Sequence, residues 1–323
     1  MNVLIIGGAG FLGSNLVRRC LAETGAQITV MDSLEPHLHV TTENLREVWS
    51  QIRFVRGDLR DETLLAEIVQ GQDIIFNCAG QTSHPLSIQF PLLDAEINCM
   101  GNLKLLEAIR LLNRDAVVVY TSSSTVIGKA VSQIVDENHS EKPLEIYSAN
   151  KGVAEKYYRI YHTLHDLKTV VLRFANIYGP FGKGYPEFGF INYFIHLAWT
   201  NQQISIFGAG EQTRNVVYVE DATEILWRAA LEPRLFGDVF FATSGEHLTV
   251  REIAEKIVTV FQRGKINHVE WPDERRRIEI EHAQFSNARL QAVTGWKSRY
   301  DFVSGLERTK SLVEKKSASK LHL

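Results

Sequence analysis

Short apolar runs alternate with longer segments of helical periodicity from the N-terminus to about Arg173. Most of these runs are apolar at consecutive positions, which is typical of strands in a parallel sheet that helices cover on both faces. The pattern therefore predicts an α/β fold built on a doubly wound parallel sheet. The predicted strands are Val3–Ile6, Ile28–Met31, Ile52–Val55, Ile74–Phe76, Val117–Tyr120 and Val170–Leu172.

The pattern changes after Tyr178, where loops that contain glycine and proline are interleaved with aromatic residues. We therefore expect a first domain over residues 1–175, a smaller C-terminal α/β lobe that binds the substrate over 176–315, and a solvated tail over 316–323. Residues 221–231 have a helical pattern, and Phe240–Phe241 have an extended one. The chain is thus expected to cross back to the first domain near residues 215–245.

Composition excludes several classes of protein. The 323 residues are 45% apolar, enough for a sizeable buried core. A net charge of −3, without a dense Lys/Arg stripe, argues against a nucleic-acid partner. Three cysteines without a C-x-x-C spacing indicate no disulfide framework, and neither the cysteines nor the histidines have the spacing of a metal site. Because there is no signal peptide and no run of about 18 apolar residues, we expect a cytoplasmic protein with no membrane segment.

The segment GGAGFLG follows the first predicted strand and carries Gly7, Gly10 and Gly13. A strand that runs through such a turn into a helix directs free backbone N–H groups and the positive end of the helix dipole toward one point, which suits a pyrophosphate. Glycines that merely form a turn are the alternative. Asp32 lies 19 positions after Gly13, where a carboxylate binds ribose hydroxyls and repels a 2′-phosphate. The predicted cofactor is therefore NAD, although Asp32 could instead be a helix N-cap.

A second group of residues follows the fifth predicted strand. The cluster TSSSTVIG comes directly after it, and the later segment YSANK carries Tyr147 and Lys151 four positions apart. That spacing puts both side chains on one face of a helix. The reference pKa of tyrosine is ~10, but an adjacent ammonium and a cationic nicotinamide favour the phenolate. Tyr147 is thus a predicted general base for a hydroxyl group.

Taken in order, these motifs resemble those of the extended short-chain dehydrogenase/reductase family, in its nucleotide-sugar epimerase and dehydratase branch. The resemblance extends over nearly the whole chain and implies a Rossmann fold. The segments that carry it are GGAGFLG, GDL, NCAG, EIN, SSSTVIG, YSANK, LRFANIYGP, GEQTRNVVYVEDA and TGW.

The resemblance implies further contacts with the cofactor. Lys151 would hold the nicotinamide ribose, and Asp58 would lie at the adenine. The other implied cofactor-binding residues are Phe11, Leu12, Leu59, Ala79 and Gly80.

The resemblance also implies contacts with a nucleotide-sugar substrate. Ser123 would hydrogen-bond the reacting hydroxyl beside Tyr147, unless it only caps its own turn, and Ser124 would lie next to it. Asn176 and Arg214 would bind the diphosphate, which an Arg fork suits. The alternatives are a turn residue for Asn176 and an ion pair with Glu220 or Asp221 for Arg214.

Two further implications of the resemblance concern the late basic segment and the assembly. Arg276 or Arg275, in the segment DERRRIEIEH, would contact phosphate. A homodimer is implied, joined through a four-helix bundle that contains the helix before Leu111 and the helix of Tyr147.

Ser124 and Thr125 stand where the 4,6-dehydratases of the family carry carboxylates, so dehydration is disfavoured. The expected function is NAD-dependent epimerisation at C4 of a nucleotide-diphosphate hexose through a 4-keto intermediate. A reductase or dehydrogenase of such sugars, a C2- or C3,5-type epimerase, a weak dehydratase and a catalytically idle NAD-binding protein remain open. His84 is either a substrate contact or a loop residue, and Asn150 replaces a common serine. The sequence leaves the sugar and the base undetermined.

Overall fold

A seven-stranded sheet lies at the centre of the protein. The structure, a computed structural model, describes residues 1–23, 25–277, 279 and 283–318. The central sheet consists of parallel strands in the order β11-β7-β5-β4-β1-β2-β3. In chain order, the strands are β1 (Asn2–Ile6), β2 (Gln27–Asp32), β3 (Ile52–Arg56), β4 (Ile74–Asn77), β5 (Val117–Ser123), β6 (Ile134–Val135), β7 (Lys168–Phe174), β8 (Asn176–Tyr178), β9 (Gln203–Phe207), β10 (Thr213–Tyr218), β11 (Val239–Ala242), β12 (His247–Thr249), β13 (Lys265–Val269) and β14 (Gln284–Phe285). The six predicted strands are confirmed as β1 to β5 and β7, and the doubly wound parallel sheet is confirmed with them.

Helices cover both faces of this sheet. In chain order, the helices of the described residues are α1 (Phe11–Glu23), α2 (Glu62–Ile68), α3 (His84–Gln89), α4 (Pro91–Ala95), α5 (Gly101–Leu112), α6 (Ile146–His165), α7 (Phe190–Trp199), α8 (Val219–Ala230), α9 (Val250–Phe261), α10 (Asp273–Arg277), α11 (Ala288–Thr294) and α12 (Phe302–Ala318). A π-helical turn, Glu96–Met100, joins α4 to α5. Helix α12 runs into the predicted tail as far as Ala318, and residues 319–323 of that tail lie outside the described residues. Within the described residues, no helix combines the length and apolar character that crossing a bilayer requires.

Consecutive side chains of β1 enter two separate cores. Val3 and Ile5 pack in one cluster with residues of α1 and α8, whereas Leu4 and Ile6 pack in another with residues of α5 and α6. All four side chains are buried. Because successive side chains of a strand point to opposite faces, a strand covered on both sides reads as an unbroken apolar run. This explains why the strands could be recognised from the sequence.

The strand order reverses between β1 and β4, which lie side by side at the centre of the sheet. In open α/β sheets, ligands bind in the crevice outside the carboxyl ends of the strands at such a point. The turn at Gly7 follows β1 and the segment at Cys78 follows β4, so both border this crevice. The fold therefore places the glycine turn where a ligand site is expected.

Smaller sheets follow the central one along the chain. Strands β12, β10 and β8 form one, β13 pairs with β9, and β14 pairs with β6. Helices α7, α9 and α12 enclose a third core with the first two of these sheets. Between them, α8 packs on α1, and β11 joins the central sheet beside β7. The predicted domain boundaries remain a prediction.

A buried ion pair fixes α6 to the central sheet. The guanidinium of Arg173 on β7 donates to both oxygens of Glu155 on α6, with Nε at 3.0 and 3.1 Å and Nη2 at 2.6 Å. The two side chains are only 3% and 2% exposed. Nη2 of Arg173 also donates to Glu141. This pair holds the helix that carries Tyr147 and Lys151 in register with the ends of β5 and β7.

We expect Glu155→Ala to lower the free energy of unfolding by about 3–5 kcal/mol, because it leaves the buried guanidinium without its main counter-ion. Glu43→Ala is the matched control, since it removes an exposed pair with Arg46 and should cost about 0–1 kcal/mol. Urea unfolding followed by circular dichroism measures both changes. Equal losses in the two variants would contradict a structural role for the buried pair.

Candidate functional site

At two positions of the turn after β1, the surrounding backbone leaves no room for a side chain. Gly7 has a φ of +75°, and a Cβ there would lie 2.6 Å from the backbone nitrogen of Ala79. A Cβ on Gly13 would lie 2.2 Å from the carbonyl oxygen of Gly7. Glycine at position 7 therefore lets the turn approach the segment after β4, and glycine at position 13 lets α1 approach the turn. The first amides of α1 face the crevice as a result.

A cavity of about 320 Å³ lies along the carboxyl ends of β1, β2, β4 and β5. Most of the predicted site residues line it, so the fold brings together segments that are more than a hundred positions apart. Those that line it are Gly7, Gly10, Phe11, Leu12, Gly13, Asp32, Asp58, Leu59, Ala79, Gly80, Ser123, Tyr147, Lys151 and Asn176. This cavity is called the cleft below.

Three predicted substrate contacts do not line the cleft. Ser124 is buried in the 3₁₀ turn after β5. Arg214 on β10 pairs with Glu279, a different partner from the Glu220 or Asp221 considered in the sequence analysis. Arg276 is exposed on α10. The backbone of Arg275 belongs to the same helix, and its side chain lies outside the description.

One end of the cleft carries two carboxylates. Asp32 is 7% exposed, and its oxygens accept hydrogen bonds from the amides of Ala9 and Leu34, both at 3.0 Å. Burial raises the pKa of Asp32, and these hydrogen bonds oppose the rise. Asp58 pairs with Arg60 through Oδ1–Nε at 2.9 Å and Oδ2–Nη2 at 2.7 Å. Burial disfavours the charge of Asp58, but the hydrogen bonds from Arg60 prevail and lower its pKa.

The opposite end of the cleft carries Ser123 and Tyr147. Burial raises the pKa of Tyr147 above its usual value, while the hydrogen bond with Ser123 opposes the rise. Ser123 Oγ also lies 2.8 Å from Thr125 Oγ1 and accepts from the Thr125 amide at 3.2 Å. Ser123 therefore caps its own turn and interacts with the phenol at the same time. The two roles considered for it are compatible.

Lys151 lies one helical turn after Tyr147 and is 3% exposed. Its Nζ donates to the carbonyl oxygen of Thr121 at 2.7 Å and lies 4.4 Å from the centroid of the Tyr120 ring. Burial lowers the pKa of Lys151 to about 8, and the charges of Glu155 and Asp94 oppose this change. The ammonium is thus held at the cleft floor by a fixed backbone acceptor.

Asp94 does not line the cleft, but its charge acts on Tyr147 and Lys151, and no motif in the sequence pointed to it. Its buried carboxylate accepts from Asn150 Nδ2 at 2.7 Å, Gln81 Nε2 at 2.9 Å and Asn98 Nδ2 at 3.1 Å. Asn150, which replaces a common serine, is therefore the partner of a charge 56 positions away. No spacing in the sequence links the two positions.

His84 and Glu145 are a second missed pair, although His84 was considered as a substrate contact. His84 Nδ1 hydrogen-bonds Oε1 of Glu145, whose side chain is 6% exposed. The imidazole ring lies edge-on to the Tyr147 ring, with 4.9 Å between the ring centroids. His84 lines the cleft together with Tyr147.

Two loops meet across the mouth of the cleft through Leu38, His39, Lys183, Tyr185 and Phe188, which are called the latch below. Lys183 Nζ donates to the carbonyl oxygen of Leu38 at 2.5 Å and lies 4.0 Å from the centroid of the Phe188 ring. His39 stacks on Tyr185 with 4.6 Å between centroids. Burial lowers the pKa of Lys183 to about 8, and the charge of Asp32 opposes this change. The latch therefore adds a basic group to the end of the cleft that carries Asp32 and Asp58.

A larger cavity, of about 1080 Å³, adjoins the cleft near Gly10 and Lys183. Its walls come mainly from the segment 39–47 and the loop after β8, with residues of α1, α7 and α12, and they include Arg18, Arg299 and Arg308. Ser123, Tyr147 and Lys151 are not part of these walls. Size alone would select this cavity, but the residues capable of proton transfer select the smaller cleft.

Comparison with known proteins identifies the family of the chain. Residues 3–240 match the model of the NAD dependent epimerase/dehydratase family. The chain is 30% identical over 322 residues to a UDP-glucose 4-epimerase of Mycolicibacterium smegmatis, covering 98% of this chain and 100% of that protein. It is 32% identical over 318 residues to a dTDP-glucose 4,6-dehydratase of Streptomyces niveus, covering 96% and 91% of the two chains.

A solved structure is similar over the same length. The UDP-glucose 4-epimerase of Thermotoga maritima with UDP-glucose superposes with a TM-score of 0.88 at 26% identity, covering 98% of this chain and 100% of that one. Both the sheet and the helices around the cleft therefore belong to an architecture that binds a nucleotide sugar in that protein.

Proposed function

Because the chain belongs to the NAD-dependent epimerase/dehydratase family, we propose that it inverts C4 of a nucleotide-diphosphate hexose through a transient 4-keto sugar. The observation that carries this proposal is that Ser123, Tyr147 and Lys151 line one end of a cleft whose other end carries the glycine turn and Asp32.

The residues of the cleft fit the cofactor NAD. At Gly7 and Gly13 a Cβ would collide with backbone atoms, so the turn stays narrow and its amides remain available to a pyrophosphate. The buried carboxylate of Asp32 suits ribose hydroxyls at the end of β2. When bound, NAD accepts a hydride from the sugar carbon and returns it.

Tyr147 is proposed to take the proton of the C4 hydroxyl and to return it after the ketone has turned over. Burial disfavours the phenolate, so the base needs stabilisation from positive charge and from the hydroxyl of Ser123. Lys151 supplies such a charge one turn along the same helix. Since the pKa of Lys151 is about 8, this charge is present below that pH and is lost as the pH rises through it.

This reaction needs one acid–base group at C4, since the proton that leaves in the first half returns in the second. Elimination of water needs in addition both a base for the hydrogen on C5 and an acid for the hydroxyl that leaves C6. Thr125, at a position where dehydratases of the family carry a carboxylate, shares a hydrogen bond with Ser123, and Ser124 is buried. These observations favour epimerisation over dehydration, the activity named for the Streptomyces niveus relative.

Tyr147→Phe should lower kcat by about 10²–10⁴-fold, because it removes the proposed general base and leaves the ring in place. Proton NMR of UDP-glucose, UDP-N-acetylglucosamine, dTDP-glucose and CDP-glucose reactions measures inversion at C4. Tyr161→Phe is the matched control, since it removes a phenol on the same helix that bonds Glu107. The control should keep turnover within about threefold.

The same experiment separates the alternatives. A dehydrogenase or reductase would change NADH absorbance in step with product, and a dehydratase would yield a 6-deoxy-4-keto sugar. An idle protein would bind NAD and turn over none of the four sugars. Full activity of Tyr147→Phe would contradict the proposed role of the phenol.

We further infer that the latch slows the loss of NAD, as an enzyme that regenerates its cofactor within each cycle requires. Lys183→Met removes the hydrogen bond to Leu38 and the charge beside Asp32. A hydrogen bond from a charged group contributes about 1.5–3 kcal/mol, so the release rate should rise by about tenfold or more. The exposed Lys297→Met is the control. Dilution of the NAD-loaded protein into a scavenging dehydrogenase measures the rate, and equal rates in both variants would remove the latch from this role.

We also propose a homodimer through α5 and α6. Leu111, Leu112, Ile160 and Leu164 are 63%, 45%, 46% and 67% exposed on these two neighbouring helices. An apolar surface of this kind is typical of an interface. Leu164→Glu should shift sedimentation equilibrium toward the monomer, and Leu231→Glu, at a residue 56% exposed elsewhere, should not. A wild-type protein that sediments as a monomer would contradict this proposal.

A further inference from the structure

The pair of His84 and Glu145 is an acid–base group that inversion at C4 leaves unused. His84 is the first residue of α3, and Glu145 directly precedes α6. Glu145 Oε1 binds His84 Nδ1 and accepts from Ser148 Oγ at 3.1 Å. Among the described residues, none hydrogen-bonds His84 Nε2, and Glu145 Oε2 is buried without a partner. The carboxylate thus fixes one ring nitrogen and leaves the other available for a proton.

The imidazole lies close to the point where the sugar must react. The Tyr147 phenol marks the position of C4 in the proposed function, and the His84 ring centroid is 4.9 Å from the phenol centroid. Both rings line the cleft. With C4 at the phenol, we expect one of the hexose carbons bonded to C4 to lie beside the imidazole ring.

The other titratable groups that line the described cleft are less suited to accept a proton there. Lys151 donates to Thr121, and burial raises the pKa of the Cys78 thiol to about 12. Asp32, Asp58 and Lys183 belong to the opposite end. Among the residues that line the described cleft, His84 is thus the one that presents a proton acceptor, its Nε2, beside Tyr147.

We propose that His84, oriented by Glu145, removes a proton from a carbon next to C4 while that position is a ketone. The proposal rests on the proposed function, because the C4 reaction supplies the ketone. The carbonyl acidifies the neighbouring C–H bond, whose electron pair becomes the enolate double bond as the proton moves to Nε2. Glu145 stabilises the resulting imidazolium. The proton on Nε2 exchanges with solvent, and a proton of solvent origin then returns to the carbon, so the imidazole is regenerated and no oxidant or reductant is consumed.

This step adds an activity to inversion at C4. The hydrogen at C4 itself travels as a hydride and stays on the sugar, whereas the hydrogen at the neighbouring carbon exchanges with solvent. Return of the proton to the opposite face would invert a second stereocentre.

The test is to run the NAD-loaded enzyme in D₂O with the same four nucleotide sugars and to follow each proton of the hexose by NMR and the sugar mass by mass spectrometry. The expected result is inversion at C4 together with loss of the H3 or H5 signal and a gain of one mass unit. His84→Gln should lower deuterium incorporation per inversion by about 10²-fold or more, because it removes the base. Glu145→Gln should lower the same ratio less and shift its dependence on pH.

His268→Gln, on β13, is the control for a histidine outside the cleft and should keep the ratio unchanged. Because deuterium is counted per inversion within each variant, partial unfolding does not affect the comparison. Inversion at C4 without deuterium would overturn the role of His84 and leave the proposed function intact. Deuterium incorporation that persists in His84→Gln would overturn the assignment to His84, and absence of inversion with all four sugars would overturn the proposed function.

Discussion

The cleft depends on a close approach of backbone to backbone between the turn after β1 and the segment after β4. At Gly7 even one carbon atom would lie 2.6 Å from the nitrogen of Ala79, so side chains are excluded from this contact. Both segments border the point where the strand order reverses. If they were further apart, the amides of α1 and the floor of the cleft would not face a common ligand. The end of the cleft that carries Ser123, Tyr147 and Lys151 is formed by β5 and α6.

Buried charge is the second requirement of the site. Lys151 is almost fully buried, and burial alone would favour its neutral form. The carboxylates of Glu155 and Asp94 oppose this. Burial raises the pKa of Asp94, and hydrogen bonds from three side-chain amides oppose that rise. Asp94 also opposes ionisation of Tyr147, so its charge disfavours the phenolate and favours the ammonium. The protonation state of the site is therefore a balance among several fixed groups.

The parts of the protein that local sequence determines could be predicted. Strands β1 to β5 and β7 could be predicted because the sheet is covered on both faces and its strands are apolar at consecutive positions. Residues 221–231 could be predicted as the helix α8 because of their helical periodicity. Fourteen predicted residues line one cleft. Spacing along the chain indicated the glycine turn, Asp32, Tyr147 and Lys151, and the family resemblance implied the others. The roles of these residues remain predictions.

Contacts between distant segments could not be predicted. Arg214 pairs with Glu279, 65 positions later, and the neighbouring Glu220 instead binds Arg299 and Arg308. The same holds for Asn150 with Asp94, for His84 with Glu145 and for Lys183 with Leu38. Each contact joins residues that the chain brings together only through the finished sheet. A single sequence carries no periodicity or spacing that reports such a pair.

The position of β11 at the edge of the central sheet bears on how the polypeptide is synthesised. Strand β7 ends at Phe174, and its neighbour on that side is completed only at Ala242. A nascent chain that has emerged as far as β8 therefore has an uncovered row of amide and carbonyl groups along β7, where strands of other chains can pair. At about 5–20 residues per second, roughly 3–14 seconds of translation separate the two strands. During that interval the growing polypeptide is vulnerable to aggregation, and a chaperone bound at the ribosome would protect it most effectively there.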